Sequence, residues 1–356
     1  MGGEHTTYTT RHRRTRSGLA ALALTGLGFA GISATAQAAS DEPTMMMPTG
    51  GGYESVTLEA FAKAAISKAT DKTVDIVVVP SSYGDDWPSR PENIALAKQR
   101  TAEVAAACTA VAPPGKSCTG RLAILLNRAD AMKPANSAAL RDASLDGIFI
   151  LGGDQGIAMK VLANSPAEKA MTDAVHRGVV LGGTSAGAAV ESVSMINGYV
   201  GDYGAAQGLR RGSTLMWWSN DGDAERGLVF GSQRAIYDQH FYERGRFGRS
   251  LSTIATADER FGGKSPVGVG VDYATSITNY GDRTLTQVVG NSGAATIDFE
   301  SLGATHRWVG TERWLSARKV KVNLLTEDND YNLVTRRLSL HGKTVGDVSG
   351  RAWSTP

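Results

Sequence analysis

Leu181-Gly182-Gly183-Thr184-Ser185-Ala186-Gly187-Ala188-Ala189 reads as a strand that stops at a serine and turns at once into a helix. Glycine two residues before and two residues after Ser185 is what a nucleophile elbow requires, because larger side chains there would collide with neighbouring backbone. Ala186, Ala188 and Ala189 let the new helix pack close to the sheet. Ser185 is then expected above the carboxyl edge of the strands, where a helix N-terminus favours developing negative charge. The backbone N–H of Ala186 is a natural half of an oxyanion hole. A glycine-rich strand-to-helix turn with an idle serine has the same spelling, so the motif alone leaves both readings open.

Working outward, residues 57–69 show helical spacing, with Leu58, Phe61, Ala65 and Ile66 on one face. Residues 75–79 are a β-branched run stopped by Pro80, the pattern of a buried parallel strand. An Ala-rich helix is expected over 93–108, strands over 122–126 and 147–151, a helix over 166–176 and a strand over 179–181. This alternation predicts an α/β fold with a doubly wound, mostly parallel sheet and helices on both faces. Past residue 262 the texture changes to short strands at 267–271, 285–289 and 320–325, read as antiparallel additions in the C-terminal part.

Two further clusters bear on chemistry. Asp238-Gln239-His240-Phe241-Tyr242-Glu243-Arg244-Gly245-Arg246-Phe247-Gly248-Arg249 ends a strand pattern on a histidine and crowds three arginines into a helix start. Cations in a first helical turn oppose the macrodipole, so an anionic ligand or nearby acids such as Glu243 and Asp238 must compensate. Leu151-Gly152-Gly153-Asp154-Gln155 places glycines just after another strand, on the same sheet edge. There Gly153 is a candidate second oxyanion donor, and Asp154 and Gln155 are candidate substrate contacts.

Gly-Gly-Asp-Gln, Gly-Thr-Ser-Ala-Gly-Ala and Asp-Gln-His-Phe followed by Arg-Gly-Arg-x-Gly-Arg, in this order, resemble cyanophycinase, a serine dipeptidase family with a class I glutamine amidotransferase-like fold. Lesser matches at Gly50-Gly51-Gly52, Asn127-Arg128-Ala129-Asp130-Ala131 and Gly268-Val269-Gly270-Val271-Asp272 extend the likeness over most of the chain. Cyanophycin is a poly-aspartate backbone carrying an arginine on each side-chain carboxyl, and the resemblance implies release of β-aspartyl-arginine dipeptides. It implies Ser185 as nucleophile, His240 as general base, and the N–H groups of Gly153 and Ala186 around the oxyanion. Arg244, Arg246 and Arg249 would bind substrate carboxylates, and Asp154, Gln155, Asp238 and Gln239 the substrate guanidinium groups. The triad acid is expected a little under twenty residues after the serine. Asp202 is the nearest match there, Glu191 being too close. The late Gly-x-Gly-x-Asp motif usually continues with an acid, and here Tyr273 stands in that place.

Other readings stay open. An α/β-hydrolase esterase shares Gly-x-Ser-x-Gly and would draw its base from His306 or His341. A dipeptidase for short aspartyl peptides, or a binding protein that keeps the fold without catalysis, would also fit. Residues 210–226, with Trp217 and Trp218, read as an insertion, either a lid or a surface loop with one buried Trp. No cofactor is implied. The six histidines are scattered, so no metal site is expected.

Residues 1–38 carry Arg11, Arg13, Arg14 and Arg16, a short apolar stretch over 19–32, and Ala36-Gln37-Ala38, which together predict a signal peptide cut before Ala39. A linker is expected over 39–49 and a single hydrolase domain over 50–356. The whole chain is formally +2 and the leader, with four Arg and one Glu, is +3, which leaves the mature chain near −1. That balance gives no reason to expect nucleic acid as a partner. No later stretch is apolar enough to cross a membrane, so a secreted protein is expected, as a monomer or a homodimer. Cys108 and Cys118 flank a loop containing Pro113-Pro114-Gly115, and in an oxidising compartment they are expected to pair.

Overall fold

A computed structural model describes residues 43–219, 224–340 and 342–344, all within one compact unit, Ala39–Pro356. The expected leader lies outside the described residues. The chain runs through β1 (Met45–Thr49), α1 (Ser55–Lys68), β2 (Thr73–Val79), α2 (Arg90–Val111), β3 (Ser117–Leu122) and α3 (Arg128–Met132). It continues with β4 (Leu145–Ile150), α4 (Gln155–Leu162), α5 (Pro166–His176), β5 (Val180–Thr184) and α6 (Ala186–Ala189). The strands of this half form a parallel array in the order β3-β2-β4-β5-β1.

Burial on alternate sides of these strands explains why the sheet is doubly wound. Val74, Ile76 and Val78 face the core under α1 and α2, built around Phe61, Ala65 and Val104. Val77 and Val79 face the other core, with Met159, Leu162, Met171 and Val175 from α4 and α5. Strands covered on both faces are apolar at consecutive positions, which is why β2 was readable from its sequence. Helix starts are marked by Ser89, Asn127, Asp154 and Ser165, each accepting a hydrogen bond from an N–H of the first turn. The expected strand over 122–126 lies instead at Ser117–Leu122. Residues Ala123, Leu125 and Leu126 are buried beyond its end, so burial rather than pairing explains their apolarity.

The expected linker is a correction. Met45–Thr49 is a central strand, parallel to β5 on one side and antiparallel to a later strand on the other. Three methionines and a proline carry no β-propensity signal, and Pro is rare inside sheets. Here burial between neighbours overrides propensity, with Met46 in one core and Met47 in the other.

The remaining elements are β6 (Met195–Tyr199), β7 (Thr214–Trp217), β8 (Ala235–Asp238), α7 (Phe247–Arg260), β9 (Val267–Val271), β10 (Thr275–Tyr280), β11 (Thr284–Gly290) and β12 (Ala294–Asp298). The chain ends with β13 (Thr305–Val309), β14 (Trp314–Arg318), β15 (Lys321–Leu325), β16 (Asn329–Asn332), β17 (Arg337–Leu340) and β18 (Lys343–Thr344). Antiparallel β10, β11, β16, β17 and β18 extend the first sheet to ten strands. A second sheet, β15-β12-β9-β8, carries the segment that leads to His240. The pairs β6-β7 and β13-β14 are separate ribbons. Cys108, near the end of α2, is disulfide-bonded to Cys118 in β3. No helix of the described residues is long and apolar enough to cross a membrane.

Candidate active site

β5 ends at Thr184 and α6 begins at Ala186, so Ser185 is the single residue of the turn, at φ 54° and ψ −112°. A non-glycine residue in that region is strained and is held there only by its surroundings. Two contacts hold it. The Ser185 N–H donates to the Thr49 carbonyl at 2.9 Å, and α6 presses so close to β4 that a Cβ on Gly187 would lie 2.3 Å from the Ile150 carbonyl oxygen. Ala186 is the first residue of α6, so its N–H has no intrahelical acceptor.

His240 follows β8 and is brought to the serine from the second sheet. Its N–H donates to the Gly50 carbonyl at 2.6 Å, and its own φ is 49°. The loop of Gly50-Gly51-Gly52 backs the imidazole so closely that a Cβ on Gly51 would fall 2.4 Å from its Cε1. Nε2 of the ring lies 3.0 Å from Ser185 Oγ. Nδ1 is hydrogen-bonded to Oε2 of Glu243, three residues on in the same turn. A carboxylate on Nδ1 places the proton there and leaves the Nε2 lone pair for the serine hydroxyl. Burial holds the His240 pKa below its ordinary value, against Glu243, which raises it; Arg244 adds to the lowering. The ring is therefore neutral, and a base, at neutral pH.

The acid expected at Asp202 is corrected by this arrangement. Asp202 sits exposed on the turn after β6, while Glu243 occupies the His240 ring nitrogen. Glu243 is itself placed by Asp272, whose Oδ1 accepts the N–H groups of Tyr242 and Glu243, each at 2.9 Å. Sequence order gave no weight to Glu243, because an acid three residues from a histidine is ordinary; only the turn at 240–243 brings the two side chains together. Glu191 is enclosed, and burial raises its pKa well above the usual carboxylate range. His306 pairs with Glu259 and approaches Asp258, away from the serine, and His341 lies outside the described residues.

The loop after β4 meets the serine from the other side, where a Cβ on Gly152 would lie 3.3 Å from the Ser185 Cβ. The Gly152 N–H is taken by the Tyr53 hydroxyl at 2.9 Å, leaving Gly153 and Ala186 as the oxyanion candidates. Asp154 caps α4 by accepting from the Ile157 N–H at 2.8 Å. Gln155 is buried and donates to the carbonyls of Ile196 and Asn197, so it fastens β6 rather than facing the groove.

Asp238 and Arg249 are a second correction. Both are almost wholly enclosed, and Arg249 forks onto the Asp238 carboxylate, through Nε at 3.0 and 3.2 Å and through a terminal nitrogen, while the Ser250 hydroxyl completes the set. The guanidinium lies over the Tyr199 ring at 4.9 Å. A buried charge needs such a partner, and each group satisfies the other in place of substrate. Gln239 is likewise engaged, its backbone carbonyl accepting from Arg246 at 2.7 Å and its side chain from the same nitrogen. Arg246 is only partly enclosed, and burial together with Arg249 and Arg244 pushes its pKa down to about 10. Arg244 is exposed, with Nε 3.9 Å from Glu243. Of the three arginines, then, Arg244 is exposed, Arg246 is half-buried and Arg249 is enclosed. In the segment read as an insertion, of which residues 220–223 lie outside the described residues, both Trp217 and Trp218 are buried.

A profile of peptidase family S51 matches residues 130–207, a span that contains Asp154 and Ser185. The cyanophycinase of Geminocystis herdmanii (strain PCC 6308) is 31% identical over 192 residues, which is 53% of this chain and 63% of that one. The chain is thus similar to peptidase family S51 over residues 130–207 and to this cyanophycinase over about half its own length. A cyanophycinase of Synechococcus elongatus is 30% identical over 214 residues, 60% of each chain. The chain thus spans about three-fifths of the length of these curated relatives. Among solved structures, a peptidase from an acI-B1 actinobacterium superposes with a TM-score of 0.52 at 19% identity, over 82% of this chain and 97% of that one. That likeness establishes the mixed α/β fold.

Proposed function

We propose that this protein is a serine peptidase that hydrolyses cyanophycin to β-aspartyl-arginine dipeptides. The observation that carries the reading is the Ser185–His240–Glu243 line, with Oγ 3.0 Å from Nε2 and Glu243 on the opposite ring nitrogen. Ser185 Oγ attacks the backbone carbonyl while Nε2 takes its proton, and the Ala186 and Gly153 N–H groups receive the oxyanion. The imidazolium returns the proton to the departing amine as the peptide bond breaks, leaving an acyl-enzyme on Ser185. Water, deprotonated by the same nitrogen, then releases the product and restores the serine. Arg244 and Arg246 supply the carboxylate contacts.

We also propose secretion through a cleaved leader. The Cys108–Cys118 bond supports it, because such bonds persist in oxidising compartments. Mass determination of the mature protein from culture medium checks the point, with Ala39 expected as its first residue.

Incubating purified protein with cyanophycin and identifying the released products by mass spectrometry tests the function. Wild type should release β-aspartyl-arginine, and Ser185→Ala should lose activity by at least about three powers of ten while unfolding at the same temperature. Release of free arginine, or an alanine variant that keeps more than a few per cent of wild-type turnover, would end this reading.

A further inference from the structure

The side chains expected to receive substrate guanidinium groups are largely spoken for. Asp238 is locked to Arg249, Gln239 to Arg246 and Gln155 to two carbonyls, while Asp154 caps α4. A site that cleaves an arginine-bearing polymer needs another acceptor. Tyr273, packed beside His240 with its hydroxyl toward Glu54, supplies the place. The hydroxyl end of its ring abuts the loop after β1, where a Cβ on Gly52 would be only 3.0 to 3.2 Å from Cζ, the hydroxyl oxygen and Cε2. Its centroid is 5.7 Å from that of His240, at a tilt of 33°, so it walls the catalytic histidine. Tyr273 is 39% exposed, so a ligand can reach it. Its hydroxyl lies 3.5 Å from Oε1 of Glu54. Glu54 is exposed and precedes α1 without capping it, so its carboxylate is not spent on the helix.

We propose that Tyr273 and Glu54 form the subsite for the substrate's arginyl side chain, resting on the function proposed above. A planar guanidinium stacks on the aromatic face, and the carboxylate at the ring's hydroxyl end accepts its N–H groups. Arg244 follows Glu243 in the same turn, and Arg246 stands at the start of α7. They repel a second cation and attract carboxylate, so the two charges of each dipeptide unit are sorted to different walls of the site.

Kinetics on soluble oligomers of β-aspartyl-arginine, and on matched oligomers with citrulline in place of arginine, test the subsite. Citrulline keeps the planar group and loses the charge. Wild type should favour the arginyl oligomer in kcat/KM by about tenfold or more. Glu54→Gln should reduce that preference about tenfold, as should Tyr273→Leu, while Tyr273→Phe keeps most of it. A preference unchanged in both Glu54→Gln and Tyr273→Leu would overturn the subsite, as would its loss in Asp154→Asn instead. Cleavage of neither oligomer by wild type would remove the proposed function itself, a result distinct from unselective cleavage, which removes only the subsite.

Discussion

Glu243 has two neighbours that pull His240 in opposite senses from Glu243 itself: the enclosing protein and Arg244. The net depression has a kinetic sign. His240 must be neutral to act as base, so activity is lost as pH falls through its pKa, and the acid limb of kcat/KM should lie below the ordinary histidine value of about 6.5. Glu243→Gln removes the group that raises the pKa, so the limb should move further down. The same variant should lower kcat by roughly two or more powers of ten with little change in KM, because the acid orients the ring without touching substrate. Asp202→Asn should leave both quantities near wild type. Stopped turnover in Asp202→Asn with normal Glu243→Gln would return the role to Asp202. Asp272 acts one step behind, by holding the two N–H groups of the turn.

Elements meet in this protein at the elbow, where α6 touches β4 and β1. Gly187→Ala places a methyl carbon 2.3 Å from a carbonyl of β4. Neither backbone can yield without moving Ser185, so a loss of about 1–3 kcal/mol is expected together with lost turnover. Thermal unfolding beside kinetics checks it, and a variant with normal melting and normal rate would contradict this account of the elbow. Glu191, just beyond α6, bears on the same junction. Its pKa is raised in the fold by burial, so the folded state holds a proton that the unfolded chain releases above about 4.5. Stability is therefore full below that pH and falls as pH rises toward the folded value. Glu191→Gln should raise the melting temperature more at pH 8 than at pH 5, and equal shifts at both would refute the burial argument.

At the scale of the whole molecule, two sheets share one site. The serine comes from the centre of the ten-stranded sheet and the histidine from the edge of the four-stranded one, joined by the His240 N–H to Gly50. The disulfide acts elsewhere, fixing α2 to the outer strand β3. Replacing both cysteines with alanine should cost roughly 2–3 kcal/mol by loop-closure entropy, and thus several degrees of melting temperature, without altering kcat. A change in kcat at a temperature well below melting would show that the outer strand reaches the site.

Sequence by itself determined the strands that are buried on both faces, the helices within residues 57–69, 93–108 and 166–176, and the strand-to-helix turn at Ser185. Each of these rests on spacing along the chain, which the chain displays directly, whereas the part given to His240 came from the resemblance of its Asp-Gln-His block. Tertiary structure alone decided the central place of Met45–Thr49, whose residues lack strand character and gain it from burial between two neighbours. It also decided which carboxylate meets the His240 ring, and that Asp238 and Arg249 satisfy each other inside the fold. Those outcomes depend on where side chains point after a left-handed turn at His240 and on how much water each charge loses. Both are set by the packing around these residues, which their spacing along the chain does not display.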